Sequence, residues 1–136
     1  MSILKVNKTL LQSRQAAAAL LEKMQRTVYH TPELLHEDLY QFILYKYLLH
    51  ETAQGIYDIS ELSELSVAKA VQLEKQDAFK ADSAASCDGV TSSMNKKILL
   101  YMAIQKGFGI TFPVEKTAYF ETTQDIARAV FEAGRQ

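Results

Sequence analysis

Apolar positions recur along most of this chain at three- and four-residue spacing, the period of helices packed on one face. From about Thr9 to Val28, the residues Leu10, Ala17, Leu21, Met24 and Val28 share one face, while Arg14, Lys23 and Arg26 share the other. The run Ala16 to Ala19 adds high helix propensity. A first helix with one buried stripe is expected there. Thr31-Pro32-Glu33 is a helix start: Thr31 can cap, Pro32 has its φ preset, and Glu33 and Glu37 suit the positive end of the dipole. Leu34, Leu35, Leu39, Phe42, Ile43, Leu44, Leu48 and Leu49 then carry the pattern to about Ala53, with Gly55 as the stop. Because apolar residues cover most of its circumference, this second helix should lie at the centre of a bundle. Tyr40, Tyr45 and Tyr47 can place rings in the core and hydroxyls at its edge.

A third helix is expected from Asp58, where Asp58 and Glu61 can form a capping box, to about Phe79. Its apolar face, carrying Ile59, Leu62, Leu65, Val71 and Leu73, is looser. The small and polar run from Lys80 to Thr91 reads as a loop. A fourth helix should start at Ser92 or Ser93, with Ile98, Met102, Ile104 and Phe108 as core positions and Gly107 and Gly109 breaking it. Val114 to Tyr119 suits a short helical turn after Pro113. A last helix is expected from about Thr123 to Glu132, capped by Thr122, with Ile126, Val130 and Phe131 inward and Gly134 as its stop. No alternating run is long enough for a sheet. The expected fold is all-α, a helical bundle of about five helices. It forms a single domain over 1–136, with N-terminal helices in 1–80 and a second group in 92–136.

Composition narrows the partners. The chain is 48% hydrophobic and 23% charged, which supports a packed core rather than disorder. A net charge of −1 gives no reason to expect a nucleic acid. The longest apolar run is too short to cross a bilayer, and Met1 to Lys5 lacks the features of a secretory signal, so no membrane partner is expected. With one cysteine, Cys87, an internal disulfide is impossible and a reducing, cytoplasmic setting is expected.

The last third carries the most specific pattern. The apolar helix Met94-Asn95-Lys96-Lys97-Ile98-Leu99-Leu100-Tyr101-Met102-Ala103-Ile104 runs into Phe108-Gly109-Ile110-Thr111-Phe112-Pro113. A polar spacer and the start Thr122-Thr123-Gln124-Asp125-Ile126 follow. This resembles the second half of an acyl or peptidyl carrier protein, over about 40 residues. The resemblance implies a carrier-like C-terminal part that docks with partner enzymes. It also implies a 4'-phosphopantetheine arm on a serine at the start of the long helix. Ser93, and next to it Ser92, are the residues it points to for holding that cofactor, although an ungapped match places Met94 at the family's serine position. The same serines read from the residues alone are helix caps. Lys96, Lys97 and Lys106 also stand where many acyl carriers present carboxylates. A carrier-fold interaction module without a prosthetic group is therefore the second reading.

Other side chains suggest less. His36-Glu37 and His50-Glu51 pair imidazoles with carboxylates, but the two histidines would lie about 21 Å apart on a helix. One metal ion cannot bridge that distance, and ligand pairs on one helix are normally three or four residues apart. His30 reads as a helix-end residue. Cys87 lies beside Asp88, which disfavours a thiolate. No phosphate-loop, dinucleotide, nucleophile-elbow or paired-cysteine motif is present, so neither an enzyme nor a metal site is expected. A bundle rich in tyrosine could bury a homodimer interface.

Overall fold

A computed structural model describes the backbone of residues 3–76 and 92–134, with side chains over 8–73 and 92–134. The loop expected from Lys80 to Thr91, the end of the third helix at Phe79 and Cys87 lie outside the described residues. Those residues form helices α1 (Ile3–Arg26), α2 (Pro32–Lys46), α3 (Ile59–Gln76), α4 (Ser93–Phe108), α5 (Val114–Thr117) and α6 (Thr123–Gly134). The all-α expectation holds: no strand occurs among the described residues, and α5 is the short turn expected after Pro113.

Helix α2 lies between α1 and α6, while α3 packs on α4, and α1 touches both of these. The core follows from that arrangement. Leu39, Ile43 and Leu44 of α2, Ile59 and Leu62 of α3, Ile104 of α4 and Ile126 of α6 are all fully buried. Burying a side chain of this size contributes about 1.5–3 kcal/mol, so α2 has the most to lose from any rearrangement. Among the described residues no helix is long and apolar enough to cross a membrane.

Helix α2 ends at Lys46, well short of Ala53, although Tyr47, Leu48 and Leu49 continue its apolar run. Leu48 turns left-handed with φ 62°, and the N–H groups of Leu48 and Leu49 donate to Tyr45 and Leu44 at 3.2 and 2.8 Å. These are the two bonds of a Schellman stop, with leucine where glycine is the usual residue. The left-handed residue costs roughly 1–2 kcal/mol. Burial of Tyr47, Leu49 and Ala53 beyond the stop offsets that strain. Turned back in this way, the chain also lets the Tyr47 hydroxyl meet Ser63 Oγ at 3.0 Å, while the buried Ser66 hydroxyl donates to Tyr47 O at 3.0 Å. Burial pushes the Tyr47 hydroxyl up to about 12, with the Ser63 bond acting in the opposite sense.

Three other expectations are corrected. Val28 lies beyond the end of α1 and is exposed, because the helix stops at Arg26. Gly107 stays inside α4, and Gly109 alone, at φ 65°, ends it. A Cβ on Gly107 would lie 2.8 Å from Leu21 Cδ1, so its missing side chain permits the close approach of α1. Gln25 of α1 donates to the Gly107 carbonyl at the same crossing. Finally, Ile98 and Met102 point to solvent, and the buried residues of α4 are Leu100, Tyr101 and Ile104.

Helix α6 begins as expected, with Asp125 added to the cap. The Asp125 N–H donates to Thr122 Oγ1 at 3.3 Å, and Asp125 Oδ2 accepts from Glu121 and Thr122 N–H at 2.9 and 3.1 Å. Burial alone would raise the Asp125 carboxyl. The two backbone donors, the Arg128 charge and the Thr122 hydroxyl outweigh it, and the pKa falls below the ordinary 3.8. Stability from this carboxylate is present above the ordinary value and lost as pH falls through the lowered one. Asp125→Ala should destabilise the fold by about 1 kcal/mol in urea denaturation at neutral pH. The difference from the parent chain should shrink as the medium is acidified through that range.

Candidate functional site

The start of α4 is set by its serines. Ser92 is the N-cap, in extended conformation with φ −66° and ψ 162°, and its Oγ accepts from Asn95 N–H at 3.2 Å. Ser93 is the first helical residue and is partly buried, while Met94 beside it is exposed. The two serines indicated by the sequence therefore meet at one helix end with different surroundings. Ser92 Oγ is committed to the backbone.

The first turn of α4 contains no acidic residue but carries Lys96, and Lys97 opens the next turn. Lys97 Nζ donates to Ser60 Oγ of α3 at 2.7 Å. Lys96 is half-buried, and desolvation lowers its pKa from the ordinary lysine value. A phosphate ester on Ser93 would meet the positive end of the α4 dipole with no carboxylate in that turn to repel it. The residues present fit such a group by charge and by position.

From that end, the outer face of α4 runs along the protein surface and is largely apolar. Met94, Ile98, Leu99 and Met102 are 61%, 47%, 57% and 57% exposed. Exposed apolar residues scattered singly are ordinary, but four large ones on a single helix form a patch. The helix ends in the Phe108-Gly109-Ile110 turn. There Ile110 N–H donates to Gln105 O at 3.0 Å and Phe112 N–H donates to Gln105 Oε1 at 2.7 Å. Phe112 is thereby buried, edge-on to Phe120, which is also edge-on to Tyr101 of α4. This aromatic contact sets the path from α4 through α5 towards α6.

A second cluster lies where α3 and α6 begin. Asp58 and Thr122 form an antiparallel bridge, with Ile59 N–H donating to Glu121 O and Thr123 N–H to Tyr57 O, both at 2.9 Å. Asp58 also caps α3, accepting from Glu61 N–H at 2.9 Å. His36 of α2 reaches this bridge, with Nε2 2.8 Å from Thr123 Oγ1. The imidazole stacks on Tyr40 and leans on Tyr57, with ring centroids 5.4 and 5.7 Å away. The Tyr40 hydroxyl lies 2.6 Å from Ile56 O and 2.9 Å from Ala53 O, and accepts from Gly55 N–H at 3.1 Å. His50 is elsewhere, stacked on Tyr45 at 4.0 Å. Among the described residues no three histidine, cysteine or carboxylate side chains gather where a metal ion could sit. The sequence offered no sign that His36 and Thr123, 87 positions apart, would meet.

A groove of about 710 Å³ lies between the ends of α1, α4 and α6, over Met24, Leu35, Phe108, Val130 and Phe131. Its polar lining comes from Gln25, Thr27, Tyr29 and Lys106. No family model matches the chain, and no curated protein or solved structure is similar enough to count as a match.

Burial lowers the His36 pKa from the ordinary 6.5, and the Glu37 charge offsets part of that shift. The folded state then binds fewer protons than the unfolded one just below pH 6.5, so its stability should fall with pH from that point. Urea denaturation across that range should show this slope in the parent chain. It should be flatter in His36→Gln, whose amide can still reach Thr123.

Proposed function

We propose that this is an acyl- or peptidyl-carrier-like protein that docks with partner enzymes and carries a phosphopantetheine-tethered acyl group on Ser93. The observation that carries this reading is one continuous arrangement. A serine-started helix with an exposed apolar face, α4, ends at the Gly109 turn and leads through α5 to the capped helix α6. When attached, the arm would supply a thiol for thioester exchange. The chain's own residues do the rest. Ser93 offers a hydroxyl at the helix end, the α4 dipole favours the attached phosphate, and Met94 and Ile98 give an enzyme apolar surface beside it. The chain itself catalyses nothing in this reading. A single cysteine supports a reducing, cytoplasmic setting.

Met94, exposed beside Ser93 where the carrier pattern has its serine, favours a second reading. There the same face binds a partner protein without any prosthetic group, and Ser92 and Ser93 serve only to start the helix.

Intact mass after co-expression with a broad-specificity phosphopantetheinyl transferase and coenzyme A separates the two. The carrier reading expects the mass of one phosphopantetheine to be gained, and the gain to disappear in Ser93→Ala. A chain left unmodified, under conditions that modify a control carrier, would leave the interaction module standing instead. Ser92→Ala is the companion variant. It should lose about 1 kcal/mol of stability through its cap, yet still accept the arm.

A further inference from the structure

The geometry points to an acidic protein partner for the outer face of α4, a surface with an apolar centre and carboxylates at its rim. This rests on the reading of that face as the docking surface and adds the chemistry of what docks. Met94, Ile98, Leu99 and Met102 form the centre. The sequence of α4, from Ser93 to Phe108, contains Lys96, Lys97 and Lys106 and no carboxylate, in a chain whose net charge is −1. Helical spacing puts Lys96 beside the apolar stripe and Lys106 at its C-terminal end, while Lys97 falls on the packed side and reaches Ser60 of α3. Among the described residues, neither Lys96 nor Lys106 is held in an ion pair. Two lysines without an ion-pair partner among the described residues thus border an exposed apolar stripe.

Size argues for a transient partner rather than a second copy of the chain. Four half-exposed side chains make a patch on the order of 400 Å². Two such patches face to face would bury about 800 Å², short of the roughly 1,200–2,000 Å² of a stable interface. Two copies would also bring the same lysines near one another, at a cost that an acidic partner turns into attraction. Two of the four apolar residues are methionines, whose flexible side chains adapt to more than one opposing surface.

The test uses two synthetic helical peptides with the same leucine stripe and a single tryptophan, one flanked by glutamates and the other by lysines. The protein contains no tryptophan, so peptide fluorescence reports binding to the full chain directly. The glutamate peptide should bind at least about tenfold more tightly at low salt. That advantage should shrink as salt is added. The preference should invert in the Lys96→Glu/Lys106→Glu variant, and Ile98→Asp, a change at an exposed position, should weaken both peptides. Equal binding of the two peptides, or tighter binding of the lysine peptide, would overturn the acidic partner while leaving the docking face in place. Binding of neither would remove the docking face as well, whatever the mass experiment on Ser93 shows. A chain that sediments as a dimer, and becomes monomeric in Ile98→Asp, would overturn the proposal in favour of a second copy.

Discussion

Nearly everything in this fold depends on burying helix α2 on two sides at once. Leu39, Ile43 and Leu44 have no exposed face to spare, so α1 must cover one side and α6 the other. A helix that is apolar around most of its circumference cannot sit at a surface without exposing several side chains worth about 1.5–3 kcal/mol each. The same demand explains why α2 stops at Lys46. Continuing to Ala53 would carry Leu48 and Leu49 along the helix axis, away from the core that now takes up Leu49. The left-handed turn at Leu48 brings the chain back, seats Tyr47 against Ser63 and Ser66, and delivers the next segment to the start of α3.

That delivery lets two helices begin side by side. The bridge between Asp58 and Thr122 ties the first turns of α3 and α6 together, each closed by its own carboxylate cap. His36 extends this joint to α2 through Thr123, and the rings of Tyr40 and Tyr57 fill the space around it. In this setting a half-buried imidazole is an element of the scaffold. Its hydrogen bond and stacking account for its place, and no metal-ligating neighbours are gathered around it among the described residues. With the helix starts fixed at this end, α4 lies across α3 and α1, presenting its serine start and its apolar outer face at the surface. Gly107 makes the crossing with α1 close, because no Cβ stands between the α4 backbone and Leu21.

Much of this was legible in the residues. The caps at Thr31, Asp58, Ser92 and Thr122 all act as helix starts, since a capping bond depends on a few neighbouring residues. The stop at Gly109 was equally local, requiring only a residue that tolerates positive φ. The position of Ser93 at the head of α4 was legible for the same reason. Its chemistry was not, because helix starts and attachment points both favour serine.

The sequence by itself determined that the chain is all-helical, where most helices start, and that α2 must be interior. These follow from short-range periodicity and capping, which act within a turn or two of backbone. The tertiary structure decided which face of α4 is buried. Ile98 and Leu99 are as apolar as Leu100 and Ile104, so no pattern within the helix could rank them. Only contact with α1 and α3 assigns Leu100, Tyr101 and Ile104 to the core and leaves Met94, Ile98, Leu99 and Met102 in solvent. It also decided that α2 ends in a strained leucine and that His36 meets Thr123. Both depend on burial and on contacts between residues far apart in the chain, which local preference does not encode.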